Sequence, residues 1–178
     1  MDKKEFRKSC LKKIKKRASR STMVVDKLIC NKLYQDIKSI KAYTIMLYIP
    51  MVTEVNIMPL ILRLRREKRT LLVPFMEAES FRLVKYRLPL KRKKFGIKEP
   101  KYSNKYMQKD IDMAIVPILG RDFTNRRIGF GRGMYDRFFE NTKSNIKRVV
   151  FVSRLDCVSP KIITNDYDIK ANYIIYGK

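Results

Sequence analysis

Three of the six glycines in this 178-residue chain fall within five residues, in the run Arg127-Ile128-Gly129-Phe130-Gly131-Arg132-Gly133-Met134-Tyr135-Asp136-Arg137. Glycines let a backbone come close to an anion, and the amides at the start of a following helix point at it. Arg127 and Arg132 add guanidinium donors suited to phosphate oxygens. Asp136, in the first turn of the expected helix, offers the hard oxygen ligands that Mg²⁺ requires. The spacing fits neither a Walker A loop, which ends in Gly-Lys-Ser/Thr, nor the GxGxxG of a dinucleotide fold. By itself the run accommodates a phosphate cradle or a tight structural turn.

The chain has no histidine. A Ser-His-Asp triad, a Cys-His pair, His-ligated zinc and histidine acid/base work are thereby excluded, which leaves carboxylates, Lys/Arg, backbone amides or a bound metal to do any chemistry. Forty-two Lys and Arg against 17 Asp and Glu give a formal charge of +25, an excess that calls for anionic partners. Cys10, Cys30 and Cys157 are odd in number and far apart, forming no CxxC and no disulfide framework; a reducing, cytoplasmic setting is expected. The longest apolar stretch, Thr44 to Val52, is too short to span a bilayer, so no membrane role is expected.

Alternating helical and strand patterns must position the glycine run. Phe6, Cys10, Leu11, Ile14 and Ala18 mark one helical stripe within residues 3–20, with Ser19, Ser21 and Thr22 as stop and cap chemistry. A second helix is expected over Val24–Ile37, a buried strand over Ala42–Ile49 ending at Pro50, and a third helix after Pro59. Thr70–Phe75 and Phe81–Arg87 read as strands, and Lys91–Lys109 as a polar, lysine-laden connection. Then come a strand at Met113–Ile118, the glycine loop, a helix through Tyr135–Glu140, and strands at Lys147–Val152 and Tyr173–Tyr176. This order predicts a single three-layer α/β domain over residues 1–178, with a central, largely parallel sheet, helices on both faces and the basic helices of residues 1–38 packed on it. The active site is expected at the strand ends near Gly129–Asp136.

The full string Gly129–Arg137 resembles the GYGGGYYDR signature of the 5-formyltetrahydrofolate cyclo-ligases, also called 5,10-methenyltetrahydrofolate synthetases. Four other segments, in matching order, extend the resemblance over nearly the whole chain. Lys3-Lys4-Glu5-Phe6-Arg7-Lys8 is similar to that family's KxxLRK helix start. Tyr48-Ile49-Pro50 with Glu54-Val55-Asn56 and Pro59-Leu60-Ile61 resembles its YxP…EVDTxPLI segment. Gly96-Ile97-Lys98-Glu99-Pro100 matches GIxEP, and Asp112–Pro117 is similar to the strand DLVLVP.

The resemblance implies ATP- and Mg²⁺-dependent conversion of 5-formyltetrahydrofolate to 5,10-methenyltetrahydrofolate, with phosphorylation of the formyl oxygen and attack by N10. It implies nucleotide contacts at Lys3, Lys4 and Arg7 and along Arg127, Ile128, Gly129, Phe130, Gly131, Arg132, Gly133, Met134 and Tyr135. It further implies folate contacts at Met51, Glu54 and Asn56 and at Phe130 to Met134, metal ligation at Asp136 and Asp168, and catalytic roles for Arg127, Arg132 and Tyr135. The chain departs from the pattern in carrying Arg132 for glycine, Met134 for tyrosine, Tyr167 for histidine, and Asn172 and Asn56 where acids are common.

Two other readings stand beside this one. The lysine-rich stretch Phe81–Lys109, with Tyr86, Tyr102 and Tyr106 interleaved, suits nonspecific, salt-sensitive nucleic-acid binding, although no RNP, KH, zinc-finger or helix-turn-helix signature accompanies it. A catalytically inactive homologue that keeps a nucleotide pocket is the other. Nothing in the sequence marks a dimer, so a monomer is the expectation.

Overall fold

In the computed structural model, which describes residues 2–17, 22–92, 98–102 and 110–177, helices α1 (Lys3–Arg17) and α2 (Thr22–Ser39) precede strand β1 (Thr44–Met46). Helix α3 (Met58–Arg66) leads into β2 (Thr70–Met76) and its hairpin partner β3 (Phe81–Lys85). Short strands β4 (Lys91–Arg92), β5 (Lys98–Glu99) and β6 (Asp110–Ile111) follow, then β7 (Met113–Pro117), β8 (Gly120–Asp122) and β9 (Arg127–Ile128). The remaining elements are α4 (Met134–Asn141), β10 (Asn145–Ile146), β11 (Val149–Ser153), β12 (Val158–Ser159) and β13 (Tyr173–Tyr176).

Six strands form the central sheet in the order β13-β11-β7-β1-β2-β3, parallel except for β3. The period of two along each strand divides its side chains between two cores. Ile45, Met113, Ile115, Val150 and Val152 face α2 and α3, where Ile29, Leu33, Ile37, Leu60, Ile61 and Leu64 meet them. Met46, Ala114, Val116 and Phe151 point the other way, toward Phe81 and, from α4, Phe138. Burying each large side chain contributes roughly 1.5–3 kcal/mol before entropy is counted. The expected three-layer α/β architecture is thus the observed one.

Helix α1 packs elsewhere. Phe6, Cys10 and Ile14, spaced four apart, bury themselves against Leu119, Ile128 and Cys157. Those residues belong to, or flank, a small sheet of order β12-β8-β9 at the end of the central one. The docking matters because it sets the N-terminal turn of α1 beside the glycine run that leaves β9.

Several boundaries differ from expectation for identifiable reasons. β1 covers only Thr44–Met46 because the paired ladder ends there; Leu47 gives one more bond to Leu72, and Tyr48 and Ile49 then leave to wall a cavity. The expected lysine-laden connection contains an antiparallel pair, β4 with β5. The two- and three-residue strands of the small sheets are too short for any period to register in the sequence. Ser19, Ser21, residues 93–97 and residues 103–109 with Tyr106 lie outside the described residues. Among the described residues no helix is long and apolar enough to cross a membrane.

Candidate active site

From β1 the chain order runs outward through β2 and β3, then returns to β7 on the other side of β1 and continues to β11 and β13. The topological switch therefore lies between β1 and β7, where ligands of open α/β sheets bind at the carboxyl ends of the strands. A cavity of about 240 Å³ opens at this end. Tyr48 and Ile49 beyond β1, Pro74 and Met76 of β2, and Phe81 of β3 give it an apolar wall. Phe130, Arg132 and Gly133 of the glycine loop and Met134 and Tyr135 of α4 face that wall. Its charged groups, among the described residues, are Glu54, Lys98, Arg127 and Arg132.

Glu54 sits in a tight turn between β1 and α3. Its Oε2 accepts the Met51 N–H at 2.8 Å, while its own N–H donates to the Met51 carbonyl at 3.0 Å. Burial pushes its carboxyl up to about 7, against the pull of the Met51 N–H and the positive charges of Arg127 and Arg154. It is thus a buried acceptor poised near neutrality. Met51 lines the same cavity. Asn56 does not: its Oδ1 accepts the Met58 N–H at 3.1 Å and its side chain is spent at the start of α3.

Arg127 is buried, 4 % exposed, directly beneath the loop. Its Nε and Nη2 donate to the Pro117 carbonyl at 3.3 and 3.2 Å, its Nη1 donates to Asp136 Oδ2 at 3.4 Å, and its guanidinium lies 4.8 Å from the Tyr135 ring centroid. That arrangement places a fixed positive charge where the glycine loop meets the cavity. Gly129 makes it possible, since a Cβ there would run into the Arg127 guanidinium. Gly133 caps α4 at φ 62°, a left-handed conformation glycine adopts without strain. Burial and the Glu54 charge together hold the Tyr135 phenol well above its ordinary pKa, so it stays a neutral hydrogen-bond donor.

The N-terminal basic residues divide three ways. Arg7 Nε donates to the Gly129 carbonyl at 2.9 Å, which fastens α1 to the loop. Lys3 Nζ donates to both carboxylate oxygens of Asp168 at 2.7 and 2.5 Å. Lys4 is exposed. Ile128 and Gly129 are buried, Ile128 in the apolar cluster under α1.

Asp136 and Asp168 differ as oxygen donors for a cation. Among the described residues, Asp136 Oδ1 is buried and has no hydrogen-bond partner. Asp168 has both oxygens on Lys3, and Oδ2 also accepts the Asn165 N–H at 2.7 Å, so ligation by it requires Lys3 to leave. Among the described residues no group of three His, Cys, Asp or Glu side chains gathers to hold a metal. The unpaired oxygen of Asp136 fits Mg²⁺ where substrate phosphates complete the shell, the usual way this ion is bound.

Sequence reasoning did not find Lys98 or the apolar wall of the cavity. Lys98 stands inside the GIKEP segment, so a signal for it existed. Pro74, Met76 and Phe81 carry none, because they read as ordinary strand residues.

An α/β sheet with a cleft at its switch point, lined by a basic glycine loop and one buried carboxylate, is the arrangement of a small-ligand site. The model of the 5-formyltetrahydrofolate cyclo-ligase family matches residues 1–177, and the chain belongs to that family. Among solved structures, a 5,10-methenyltetrahydrofolate synthetase from Aquifex aeolicus is 28% identical, with 99% of this chain and 90% of that one covered at a TM-score of 0.76. Another from Mycoplasma pneumoniae is 22% identical, with 98% of each chain covered and a TM-score of 0.72, and shares the fold. A search of curated protein sequences gives no significant match.

Proposed function

We infer that this enzyme converts 5-formyltetrahydrofolate to 5,10-methenyltetrahydrofolate, with ATP converted to ADP and phosphate. The observation that carries this reading is the pairing of Glu54 and Arg127 across one apolar cleft under the glycine loop, in a chain that the family model spans almost completely. The flat pterin ring suits the slot between the β2–β3 wall and the Phe130–Tyr135 side. Glu54 accepts from the adjacent N–H donors on the pterin edge, which a carboxylate matches. The tail of the folate extends into an adjoining hollow of about 600 Å³, which shares Ile49, Met51 and Lys98 with the cleft and adds Arg92 as a partner for its carboxylates.

The formyl group on N5 is amide-like, and its oxygen leaves poorly. Transfer of the γ-phosphoryl group to that oxygen turns it into a leaving group. N10 then attacks the formyl carbon, the N10 proton passes to the phosphate or to water, the C–O bond breaks, and phosphate departs with the electron pair. In such a transfer the protein positions the reactants and neutralises charge. Arg127 and Arg132, with the amides around Gly131, face the transferring group, and Tyr135 donates from its neutral phenol. Lys3 and Arg7 take the nucleotide phosphates, Lys3 exchanging Asp168 for them, with exposed Lys4 at the edge. Asp136 would hold Mg²⁺, which neutralises phosphate charge when bound.

The test is the appearance of methenyltetrahydrofolate absorbance from 5-formyltetrahydrofolate with ATP and Mg²⁺, each omitted in turn. Product that requires all three supports the reading. Folded protein that binds ATP and forms no product refutes it.

A further inference from the structure

We propose that Arg154 and Asp26 are positioning residues for the folate, acting as a clamp that holds residues 51–56 in the register presenting Met51 and Glu54 to the cleft. The proposal rests on the folate reading of that cleft. Arg154 follows β11 and Asp26 lies on α2, 128 residues apart in the chain. Arg154 Nε and Nη2 donate to the two Asp26 oxygens, both at 2.8 Å. The remaining guanidinium nitrogen, Nη1, donates to the Val52 carbonyl at 3.1 Å. Asp26 Oδ2 in turn accepts the Asn56 N–H at 3.0 Å. The loop is therefore gripped on both sides of Glu54 by one ion pair.

A merely structural ion pair is the competing explanation. Buried pairs of this kind add little net stability, because removing two charges from water offsets most of their attraction. The geometry here assigns a more specific task. All three guanidinium nitrogens are used, and the planar fork dictates where Val52 sits relative to Asp26. Two further bonds hold this segment, from the Tyr48 hydroxyl to the Val55 carbonyl at 2.9 Å and from Cys30 Sγ to the Asn56 carbonyl at 3.5 Å. Neither reaches the Met51–Thr53 side; among the described residues that side is held by the loop's own Met51–Glu54 bonds and, from outside the loop, by Arg154 on the Val52 carbonyl. The clamp also has an electrostatic effect. Arg127 and Arg154 bring positive charge toward Glu54, and the Tyr48 and Tyr135 phenols face it as well. Arg154 thus favours the ionised, acceptor form of Glu54 at neutral pH. No part of the glycine loop or of α1 takes part, so the nucleotide side is untouched.

The test is steady-state kinetics on folded wild type, Arg154→Met, Arg154→Lys and Asp26→Asn. Arg154→Met is expected to lower kcat/KM for 5-formyltetrahydrofolate by about 10- to 100-fold, chiefly through KM, the scale of a small misplacement of a binding group. The KM for ATP is expected to stay within about twofold. The acid limb of the folate kcat/KM profile should move to higher pH in Arg154→Met and stay in place in Arg154→Lys, which keeps the charge and loses the fork. A purely structural role would not move that limb. Asp26→Asn, nearly isosteric, should raise the folate KM in the same selective way and carries the test if Arg154→Met does not fold. Equal effects on both substrates, or an unchanged folate KM in the folded variants, overturn the clamp. Wild type that makes no product overturns the cyclo-ligase reading and the clamp with it.

Discussion

Replacing Glu54 with Gln separates what the carboxylate costs the fold from what it does for the ligand. Burial lifts its carboxyl from an ordinary 4.5 to about 7. With the residue 7 % exposed, solvent hardly screens the effect. Across that window the unfolded chain binds fewer protons at this site than the folded one does. Stability therefore falls as pH rises from 4.5 to about 7, and the penalty is complete above the folded value. The gap between 4.5 and about 7, at about 1.4 kcal/mol per pH unit, sets it at roughly 3 kcal/mol. Glu54→Gln keeps the side-chain volume and a carbonyl for the Met51 N–H but carries no charge. The ligand-free variant should melt above wild type at pH 8, by roughly 6–12 °C at 2–4 °C per kcal/mol. Only about a quarter of that advantage should survive at pH 5. The same variant should bind 5-formyltetrahydrofolate more weakly at pH 8, having lost an ionised acceptor. Thermal unfolding at the two pH values is the assay. An equal melting difference at both, or a variant less stable than wild type at pH 8, refutes the reasoning.

Other perturbations follow from the same contacts. In wild type the folate KM should rise as pH falls below about 7, as Glu54 takes up its proton, and Glu54→Gln should flatten that limb; a limb that survives the substitution would assign it to another group. Arg127→Met leaves Asp136 buried without its ion-pair partner, which should cost about 3–5 kcal/mol in denaturant unfolding and reduce turnover by at least about a hundredfold. Gly129→Ala pushes a methyl into the Arg127 guanidinium and should destabilise by about 1–3 kcal/mol while reducing turnover, measured by melting and by product formation. Lys3→Met frees Asp168 and removes a phosphate partner, so the ATP KM should rise while the folate KM stays the same; the reverse pattern would move Lys3 out of the nucleotide site.

The glycine run, the absence of histidine and the alternation of helical and strand periods are local properties, and the chemistry of the loop and the α/β class follow from them directly. The unbroken apolar runs Met113–Pro117 and Val149–Val152 predict strands with two buried faces, and both strands lie inside the sheet. Arg127 and Arg132 announce themselves by their place in the run. The other half of the site depends on residues brought together from far apart. Lys3 meets Asp168 across 165 residues, and Arg154 meets Asp26 across 128. Neither pairing leaves a trace in spacing, because nothing periodic links positions on different elements. Glu54 reads in the sequence as one acid in a loop. Only the packing of Tyr48, Tyr135 and the β2–β3 wall around it removes its water and raises its proton affinity. Its near-neutral carboxyl is a property of that enclosure, since desolvation depends on three-dimensional neighbours and not on residue order.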